Sequence, residues 1–269
     1  MRIDSVLGRP FNESLQVTIV VPCYNELHGL LHLRDRLLCA ANKLNGTYRV
    51  SVIIVDDAST DGSWKAMHDL FAGYANVKML RHPTNRGVGA AILTGVRGAN
   101  TEVVCSIDAD CSYDPGELET LIPLLRPGVD VVTASPFHPD GFALGVVGWR
   151  LFLSRAASFL YRQVLRQKLH TYTSCFRVYR RSSVLELNLR YSGFLATAEL
   201  IGRLDLGGRV IAECPTTLTT RLYGSSKMKT VRVLAGHLCL LGELSLLRVR
   251  QALFGGSPPI LRSADLGGD

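Results

Sequence analysis

Two carboxylates stand one residue apart at Asp108 and Asp110, directly after the apolar run VVCSI. In an extended segment, two carboxylates at this spacing reach a hard cation from the same side, and Mg²⁺ or Mn²⁺ would suit them. The phosphate oxygens of a substrate would fill the remaining coordination positions. Alternatively, these residues only form a turn or cap a helix. The pair therefore predicts either metal-assisted chemistry on a phosphorylated substrate or a structural turn.

Polar residues also follow two earlier apolar runs. The segment 22–26 (PCYNE) comes after the run at 17–21, and the acidic segment 56–63 (DDASTDGS) comes after the run at 50–55. In open α/β sheets, ligands bind outside the carboxyl ends of the strands. Three polar clusters at three strand ends therefore indicate one site at a single edge of a sheet.

A glycine-rich segment at 85–91 (NRGVGAA) matches neither common phosphate-binding fingerprint. Ile92 stands where the third glycine of G-x-G-x-x-G would be, and the P-loop pattern ending in G-K-[ST] is absent. Two interpretations stay open at this point. The segment is either a helix N-terminus whose amides face a phosphate, or a helix start that requires small residues.

Near-continuous apolar runs, separated by segments with helical spacing, predict the elements that position these residues. The predicted strands are residues 17–21, 50–55, 77–80, 103–107 and 130–133, with later ones near 210–214 and 216–221. The predicted helices are residues 27–41, 64–71, 90–96, 115–126 with Asp114 as N-cap, 144–169 and 197–206. This order predicts an α/β fold with a mostly parallel sheet and helices on both faces.

The composition is that of a globular protein with two oppositely charged halves. The 269 residues are 47% hydrophobic and 20% charged, which excludes a disordered or collagen-like chain. Residues 1–140 hold 12 basic and 16 acidic residues, whereas residues 141–269 hold 18 and 7. The basic half predicts an anionic partner, which leaves nucleic acid, phospholipid and a phosphorylated substrate open.

The seven cysteines include no C-x-x-C pair, which favours reduced thiols over disulfides or a zinc site.

Six motifs in order resemble glycosyltransferase family 2, whose members have the GT-A (nucleotide-diphospho-sugar transferase) fold. They are VVPCYNE at 20–26, VDDASTDGS at 55–63, NRGVGAAILTGV at 85–96, SIDADCSYDP at 106–115, TSCFRVYRRSSV at 173–184 and RLYGSSK at 221–227. The resemblance covers roughly residues 17–230. Within the family, the last two motifs are most similar to the polyprenyl-phosphate sugar transferases of the dolichyl-phosphate mannosyltransferase type.

The resemblance implies roles for individual residues. The nucleotide of a GDP- or UDP-linked sugar donor would be bound by Pro22, Tyr24, Asn25 and Glu26, with Asp57 reaching the base. Asp108 and Asp110 would hold the donor diphosphate through Mg²⁺ or Mn²⁺. Catalysis would depend on Asp110 together with Arg221 and Lys227, which would lie on a loop over the phosphates. Ser174 and Arg177 would face the phosphate of the acceptor.

The chain departs from that subgroup at three positions. Ser112 stands where the mannosyltransferases have the Gln of D-A-D-x-Q, so a hydroxyl replaces an amide beside the metal. Ser135 is followed by Pro136-Phe137-His138 instead of an arginine, which removes one expected phosphate-binding residue. Cys175 replaces the usual glycine of T-S-G-F-R.

The resemblance implies an inverting transfer of a hexose, and the residues suggest two kinds of acceptor. A polyprenyl phosphate is already anionic and needs basic residues instead of a general base, which fits the basic half. A sugar or lipid hydroxyl, in glycolipid or polysaccharide synthesis, would need a base, and Glu199 is the candidate. Glu199 equally suits an ion pair with Arg203 four residues on.

Binding of nucleic acid is not expected, because no recognised fingerprint appears. A nucleotidyltransferase is not expected either, because PCYNE replaces its glycine-rich activation loop.

The chain is expected to divide into an N-terminal extension at 1–16, a catalytic domain at 17–230, a helix at 231–253 and a flexible tail at 254–269. Residues 17–135 would bind the nucleotide sugar, and residues 136–230 would bind the acceptor. The helix at 231–253 has arginines at both ends of an apolar middle, which suits either an interfacial position or packing back on the catalytic domain. No stretch is apolar and long enough to predict a signal peptide or a membrane span. We therefore expect peripheral attachment to the cytoplasmic face of the cell membrane.

Overall fold

The structure is a computed structural model that describes residues 15–146, 148–223 and 230–254. Lys227, most of the predicted N-terminal extension and nearly all of the predicted tail lie outside the described residues. Among the described residues, the strands are β1 (Leu15–Cys23), β2 (Tyr48–Asp56), β3 (Val77–Arg81), β4 (Val103–Ser106), β5 (Val131–Ser135), β6 (Phe142–Leu144), β7 (Arg177–Arg180), β8 (Ile211–Pro215) and β9 (Thr217–Thr219).

A mostly parallel sheet of seven strands forms the centre of the fold, with the strand order β3-β2-β1-β4-β7-β5-β8. The predicted architecture is thus confirmed. Strands β1 to β4 are parallel to one another, and β8 is parallel to β5. Strand β7 is antiparallel to both β4 and β5. It therefore separates the first half of the sheet from the second, and β6 and β9 form a small sheet of their own.

The helices are α1 (Leu30–Leu44), α2 (Ser63–Phe71), α3 (Val88–Gly98), α4 (Leu118–Leu121), α5 (Gly148–Val164), α6 (Arg181–Leu185), α7 (Leu195–Leu206) and α8 (Thr230–Phe254). Short 3₁₀ turns precede α1 at Leu27–Gly29 and flank α4 at Pro115–Glu117 and Ile122–Leu124. Asp114 accepts a hydrogen bond from the Gly116 amide, which confirms the predicted N-cap.

Alternating residues of the strands face two separate hydrophobic layers. Val17, Ile19 and Val21 of β1 pack in a layer with residues of α1 and α2. Val20, the residue between the last two, packs in the other layer with residues of α3, α7 and α8. The period of two along a strand is what allows both faces of the sheet to be covered by helices.

The predicted helix over 144–169 is shorter in the structure, beginning at Gly148 and ending at Val164. Its end is fixed by Asp205 of α7, whose carboxylate accepts hydrogen bonds from the backbone amides of Arg166 and Gln167. Arg248 of α8 donates to the carbonyl oxygen of Val164 at 2.5 Å, where a cation favours a helix C-terminus. Helix α8 is thereby joined to α5.

Helix α8 packs on α7 through close contacts at two glycines. A Cβ on Gly202 would lie 2.6 Å from Leu244, and a Cβ on Gly236 would clash with Leu195. His237 accepts or donates a hydrogen bond of 2.8 Å with the Tyr161 hydroxyl of α5. Within the described ranges, no helix combines the length and the apolar character needed to cross a bilayer.

Candidate active site

The Asp108-x-Asp110 pair follows β4 at the carboxyl end of the sheet, where the sequence predicts it. Asp110 is held by three donors. Its Oδ1 accepts hydrogen bonds from the Ser112 amide at 2.9 Å and the Ser112 hydroxyl at 2.6 Å. Its Oδ2 accepts from Nη2 of Arg221 at 2.5 Å. The hydroxyl that replaces the expected amide at position 112 therefore orients Asp110.

The environment of Asp108 disfavours its ionised form. Burial raises the pKa of Asp108 to about 7, and the neighbouring Asp110 carboxylate adds to this increase. The charges of Arg221 and Arg177 and a hydrogen bond with Cys175 oppose it. Two crowded carboxylates of this kind are stabilised by a divalent cation, so the donor set fits Mg²⁺ or Mn²⁺.

The protein supplies few ligands for such a cation. In the part of the chain that the structure describes, no cluster of three or more His, Cys, Asp or Glu side chains is arranged to bind a metal. A cation at Asp108 and Asp110 would thus need oxygen ligands from a substrate or water, which is the usual arrangement for Mg²⁺ with a phosphorylated substrate.

The loop after β1 is joined to the loop after β2 by side-chain to backbone hydrogen bonds. The backbone amide of Asn25 donates a hydrogen bond to the Ser59 hydroxyl at 2.8 Å. The side-chain oxygen of Asn25 accepts one from the backbone amide of Thr60 at 2.7 Å. Asn25 has a φ of +53°, a left-handed conformation that asparagine tolerates. Glu26 follows, with its Oε1 3.9 Å from Nη1 of Arg221. Arg221 therefore bridges the loops after β1 and β4.

Two further predicted donor-site residues flank that loop. Pro22 is buried within β1, and Tyr24 is half-buried directly after it. They lie on the same strand end as Asn25 and Glu26, so the structure brings four of the predicted nucleotide-binding residues together with Asp110. The fifth residue, Asp57, is placed differently.

Asp57 is buried, and protein donors occupy both of its oxygens. Its Oδ1 lies 2.6 Å from Nδ1 of His82 and accepts from the Arg86 amide at 2.8 Å. Its Oδ2 accepts from the Gly87 amide at 2.6 Å. The carboxylate thus holds the segment between β3 and α3 in place. The contact of Asp57 with a nucleotide base stays a prediction.

The glycines of the segment at 85–91 serve close packing. Gly87 has a φ of +93°, and a Cβ there would lie 2.7 Å from the Cα of Gly193. The Ala90 amide, in the first turn of α3, donates to the carbonyl oxygen of Ser192 at 2.8 Å. The amides of residues 86, 87 and 90 have protein partners, which favours the interpretation as a helix start that requires small residues.

Arg177 lies in β7 and is 0% exposed. Its guanidinium donates to the carbonyl oxygens of Thr197 at 2.7 Å and Tyr172 at 2.8 Å, and to the Thr133 hydroxyl at 3.2 Å. These contacts tie β7 to β5 and α7. Arg177 thus has a structural role here, and its contact with an acceptor phosphate stays a prediction.

Ser174 is also buried, and its hydroxyl accepts a hydrogen bond from the Phe176 amide at 3.1 Å. This is the local turn that Ser and Thr side chains commonly form before a strand. The structure thus gives Ser174 the role of a strand-end cap, and its predicted contact with an acceptor phosphate has no support from its described partners.

Glu199 lies in α7 with 0% exposure. Its Oε1 accepts from the Arg190 amide at 2.9 Å and pairs with Nε of Arg203 at 2.6 Å. Its Oε2 accepts from the Tyr191 amide at 2.9 Å. The ion pair that the sequence offered as the alternative role is present. A buried carboxylate with three donors is unsuited to act as a general base.

Sequence analysis did not identify a cluster of imidazoles after β5. The rings of His138 and His170 are edge to face with centroids 5.2 Å apart, and His170 pairs with Glu213 at 2.9 Å. Beside them, the guanidinium of Arg155 lies 5.3 Å from the centre of the Phe137 ring. The cluster occupies the position where the sequence departs from its subgroup, at Pro136-Phe137-His138. That departure was the signal that could have pointed to it.

Comparison with known proteins defines the class to which this fold and site belong. A family model described as glycosyl transferase family 2 matches residues 18–187, and the chain belongs to this family. The chain is therefore a glycosyltransferase, which confirms the resemblance found in its motifs.

Two curated relatives are similar over most of the chain. One is a polyprenol monophosphomannose synthase of Mycolicibacterium smegmatis, 30% identical over 84% of this chain and 84% of the relative. Another is a dolichol-phosphate mannosyltransferase of Pyrococcus furiosus, 27% identical over 80% of this chain and 60% of the relative. The chain thus spans less than two thirds of the length of the second relative.

Two solved structures share the GT-A fold with the chain. One is glucosyl-3-phosphoglycerate synthase from Mycobacterium tuberculosis in complex with Mn²⁺, UDP and glucosyl-3-phosphoglycerate. It has a TM-score of 0.64 and 17% identity, and the match covers 88% of this chain and 85% of that one. The other is a mannosyltransferase from Pyrobaculum calidifontis in complex with GDP-Man and Mn²⁺, with a TM-score of 0.60 and 18% identity over 94% and 70%. These similarities show the fold.

Proposed function

We propose that this chain transfers a hexose from a nucleotide-diphosphate sugar to a polyprenyl phosphate at a membrane surface, with inversion of the anomeric carbon. The observation that carries the proposal is the environment of Glu199. A hydroxyl acceptor would need a general base, and this carboxylate is buried and ion-paired. The similarity to a polyprenol monophosphomannose synthase supports the same acceptor class.

The donor side of the mechanism rests on the residues at the ends of β1 and β4. Asp108 and Asp110 would hold Mg²⁺ or Mn²⁺, and such a cation would supply positive charge for the leaving diphosphate. Pro22, Tyr24 and Asn25 would line the nucleotide pocket. The Arg221 guanidinium, which is close to Asp110, would stabilise the charge that develops on the leaving diphosphate.

The acceptor side needs positive charge and no proton transfer to the protein. An oxygen of a lipid phosphate is already anionic at neutral pH, so it attacks the anomeric carbon directly. The groups suited to hold it are the imidazoles of His138 and His170 and the guanidinium of Arg155, after β5 and in α5. They would take the place of the arginine that the subgroup carries after this strand.

The outward faces of α5 and α8 would contact the membrane surface. On α5, Trp149, Phe152 and Phe159 are exposed, with Phe152 70% exposed. On α8, Leu246, Val249 and Leu253 are exposed, with Leu253 71% exposed. Large apolar side chains next to arginines suit the boundary between lipid headgroups and acyl chains. The neighbouring cations are Arg155 on α5, Arg166 directly after the end of α5, and Arg248 and Arg250 on α8.

The activity is tested with purified protein, Mg²⁺ or Mn²⁺, undecaprenyl phosphate in vesicles, and GDP- and UDP-linked hexoses supplied separately. We expect nucleotide release that requires both the lipid phosphate and one of the donors. Asp110→Asn should lower this release by roughly 1,000-fold, whereas Asp35→Asn on the surface of α1 should leave it unchanged. Release with free sugars or water, and none with the lipid phosphate, would contradict the acceptor.

The membrane surface is tested by sedimentation with vesicles containing phosphatidylglycerol. Because two exposed aromatic side chains are removed, the double substitution Phe152→Ser and Phe159→Ser should weaken binding by roughly tenfold or more. Leu31→Ser removes an exposed leucine from α1 and serves as the control, with no change expected. Equal vesicle binding by all three proteins would refute attachment through α5.

A further inference from the structure

Arg221 occupies the oxygen of Asp110 that a cation would need. An ionised carboxylate oxygen offers about two lone-pair positions for hydrogen bonds. Both positions on Oδ1 of Asp110 are used by the amide and the hydroxyl of Ser112. The capacity of Asp110 to bind a cation therefore resides in Oδ2, and Nη2 of Arg221 lies 2.5 Å from that atom.

The surrounding charges explain why Arg221 lies there. Asp108, Asp110 and Glu26 bring three carboxylates to one strand edge, and Arg221 is close to the last two of them. The charge of Arg221 also opposes the increase in the pKa of Asp108. The guanidinium is 29% exposed, so it can leave Asp110 without crossing a packed core.

We propose that Arg221 is a displaceable counter-cation, which competes with the divalent cation for Asp110 until a donor diphosphate binds. The cation and Arg221 cannot share Oδ2, and two positive charges at this distance repel each other. A donor diphosphate supplies anionic oxygens that attract the guanidinium away from Asp110. The cation therefore binds weakly alone and firmly with the donor. This inference rests on the metal site of the proposed function.

The test measures Mn²⁺ binding by calorimetry in the absence of any nucleotide. Arg221→Gln should bind Mn²⁺ roughly tenfold more tightly than the unaltered protein, because a charge-assisted hydrogen bond no longer has to be broken. Arg221→Met, which keeps the aliphatic stem, should behave in the same way. Arg221→Lys should stay within about threefold of the unaltered protein, because the competing charge is retained.

Two controls separate this effect from a general change in charge or folding. Arg34→Gln removes a surface arginine that pairs with Asp35 on α1, and Mn²⁺ affinity should not change. Asp110→Asn should remove most Mn²⁺ binding. Thermal unfolding of each variant reports whether it is folded at the temperature of the titration.

The outcomes distinguish this inference from the proposed function. Equal or weaker Mn²⁺ binding by Arg221→Gln and Arg221→Met, with the unaltered protein binding Mn²⁺, overturns the competition and leaves the metal site standing. Failure of every protein to bind Mn²⁺, both alone and with GDP or UDP added, overturns the metal site as well. If Arg221 only binds phosphate, Arg221→Gln and Arg221→Met should bind Mn²⁺ no more tightly than the unaltered protein, since no phosphate is present.

Discussion

Glu199→Gln decides between a structural anion and a general base. In the folded chain, Oε1 of Glu199 accepts hydrogen bonds from the Arg190 backbone amide and the Arg203 guanidinium. Its Oε2 accepts one from the Tyr191 backbone amide. A glutamine is nearly the same size and can keep its oxygen at the first position. Its NH₂ group then faces the Tyr191 amide, so two donors point at each other.

The expected loss of stability follows from these contacts. One buried amide is left without an acceptor, which costs about 1–3 kcal/mol. The two remaining hydrogen bonds lose the charge of their acceptor, and charge-assisted bonds are roughly twice as strong as neutral ones. Arg203 is 27% exposed, so water compensates part of its lost ion pair. We expect a total loss of about 3 kcal/mol, or a Tm lower by roughly 6–12 °C.

The assay combines chemical unfolding with initial rates of transfer to undecaprenyl phosphate, measured well below the lowered Tm. For a phosphate acceptor, kcat of the folded variant should stay within about threefold of the unaltered protein. Glu243→Gln removes a partly exposed carboxylate that pairs with Arg190 and should cost less than about 1 kcal/mol. A folded Glu199→Gln protein with a rate lowered by roughly 100-fold or more would refute the structural role.

Three further predictions concern other parts of the molecule. Gly89→Ala places a methyl group against α7 and should cost about 1–3 kcal/mol in urea unfolding, whereas Gly73→Ala, which has open space, should cost under about 0.5 kcal/mol. Burial lowers the pKa of His237, so stability should fall as pH drops below about 6.5, and His237→Gln should flatten that pH dependence of the unfolding free energy. His138→Ala and His170→Ala should each raise KM for the lipid phosphate severalfold and leave the donor KM unchanged, as steady-state kinetics would show.

The central strands were predictable because their sequences carry the signal of burial on both faces. Residues 17–23 of β1 are all buried, and only an apolar run satisfies such a position. Strand β7 was not predicted, because it reads RVYR and has arginines at both ends. Arg177 is nonetheless fully buried, since the carbonyl groups of Tyr172 and Thr197 and the hydroxyl of Thr133 accept its hydrogen bonds. A pattern of residue types does not reveal such partners.

The location of the candidate site was also predictable, but the direction of several side chains was not. The spacing of Asp108 and Asp110 and their place after an apolar run are local properties of the sequence. Beside one side-chain partner each, Asp57 and Glu199 accept hydrogen bonds from backbone amides that the fold brings to them, at 86–87 and 190–191. Backbone amides are identical at every residue, so only the folded structure identifies which of them meet a carboxylate.

The antiparallel strand in the middle of the sheet sets the order in which the chain folds during synthesis. Strands β1 to β4 are consecutive, so they can pair as soon as residue 106 is available. The next neighbour of β4 is β7, which begins at Arg177, about 70 residues later. At 5–20 residues per second, roughly 4–14 s pass before it is made. During that time the apolar edge at Val103 and Val104 is uncovered and β5 has no partner. The nascent chain therefore needs protection against aggregation at that edge.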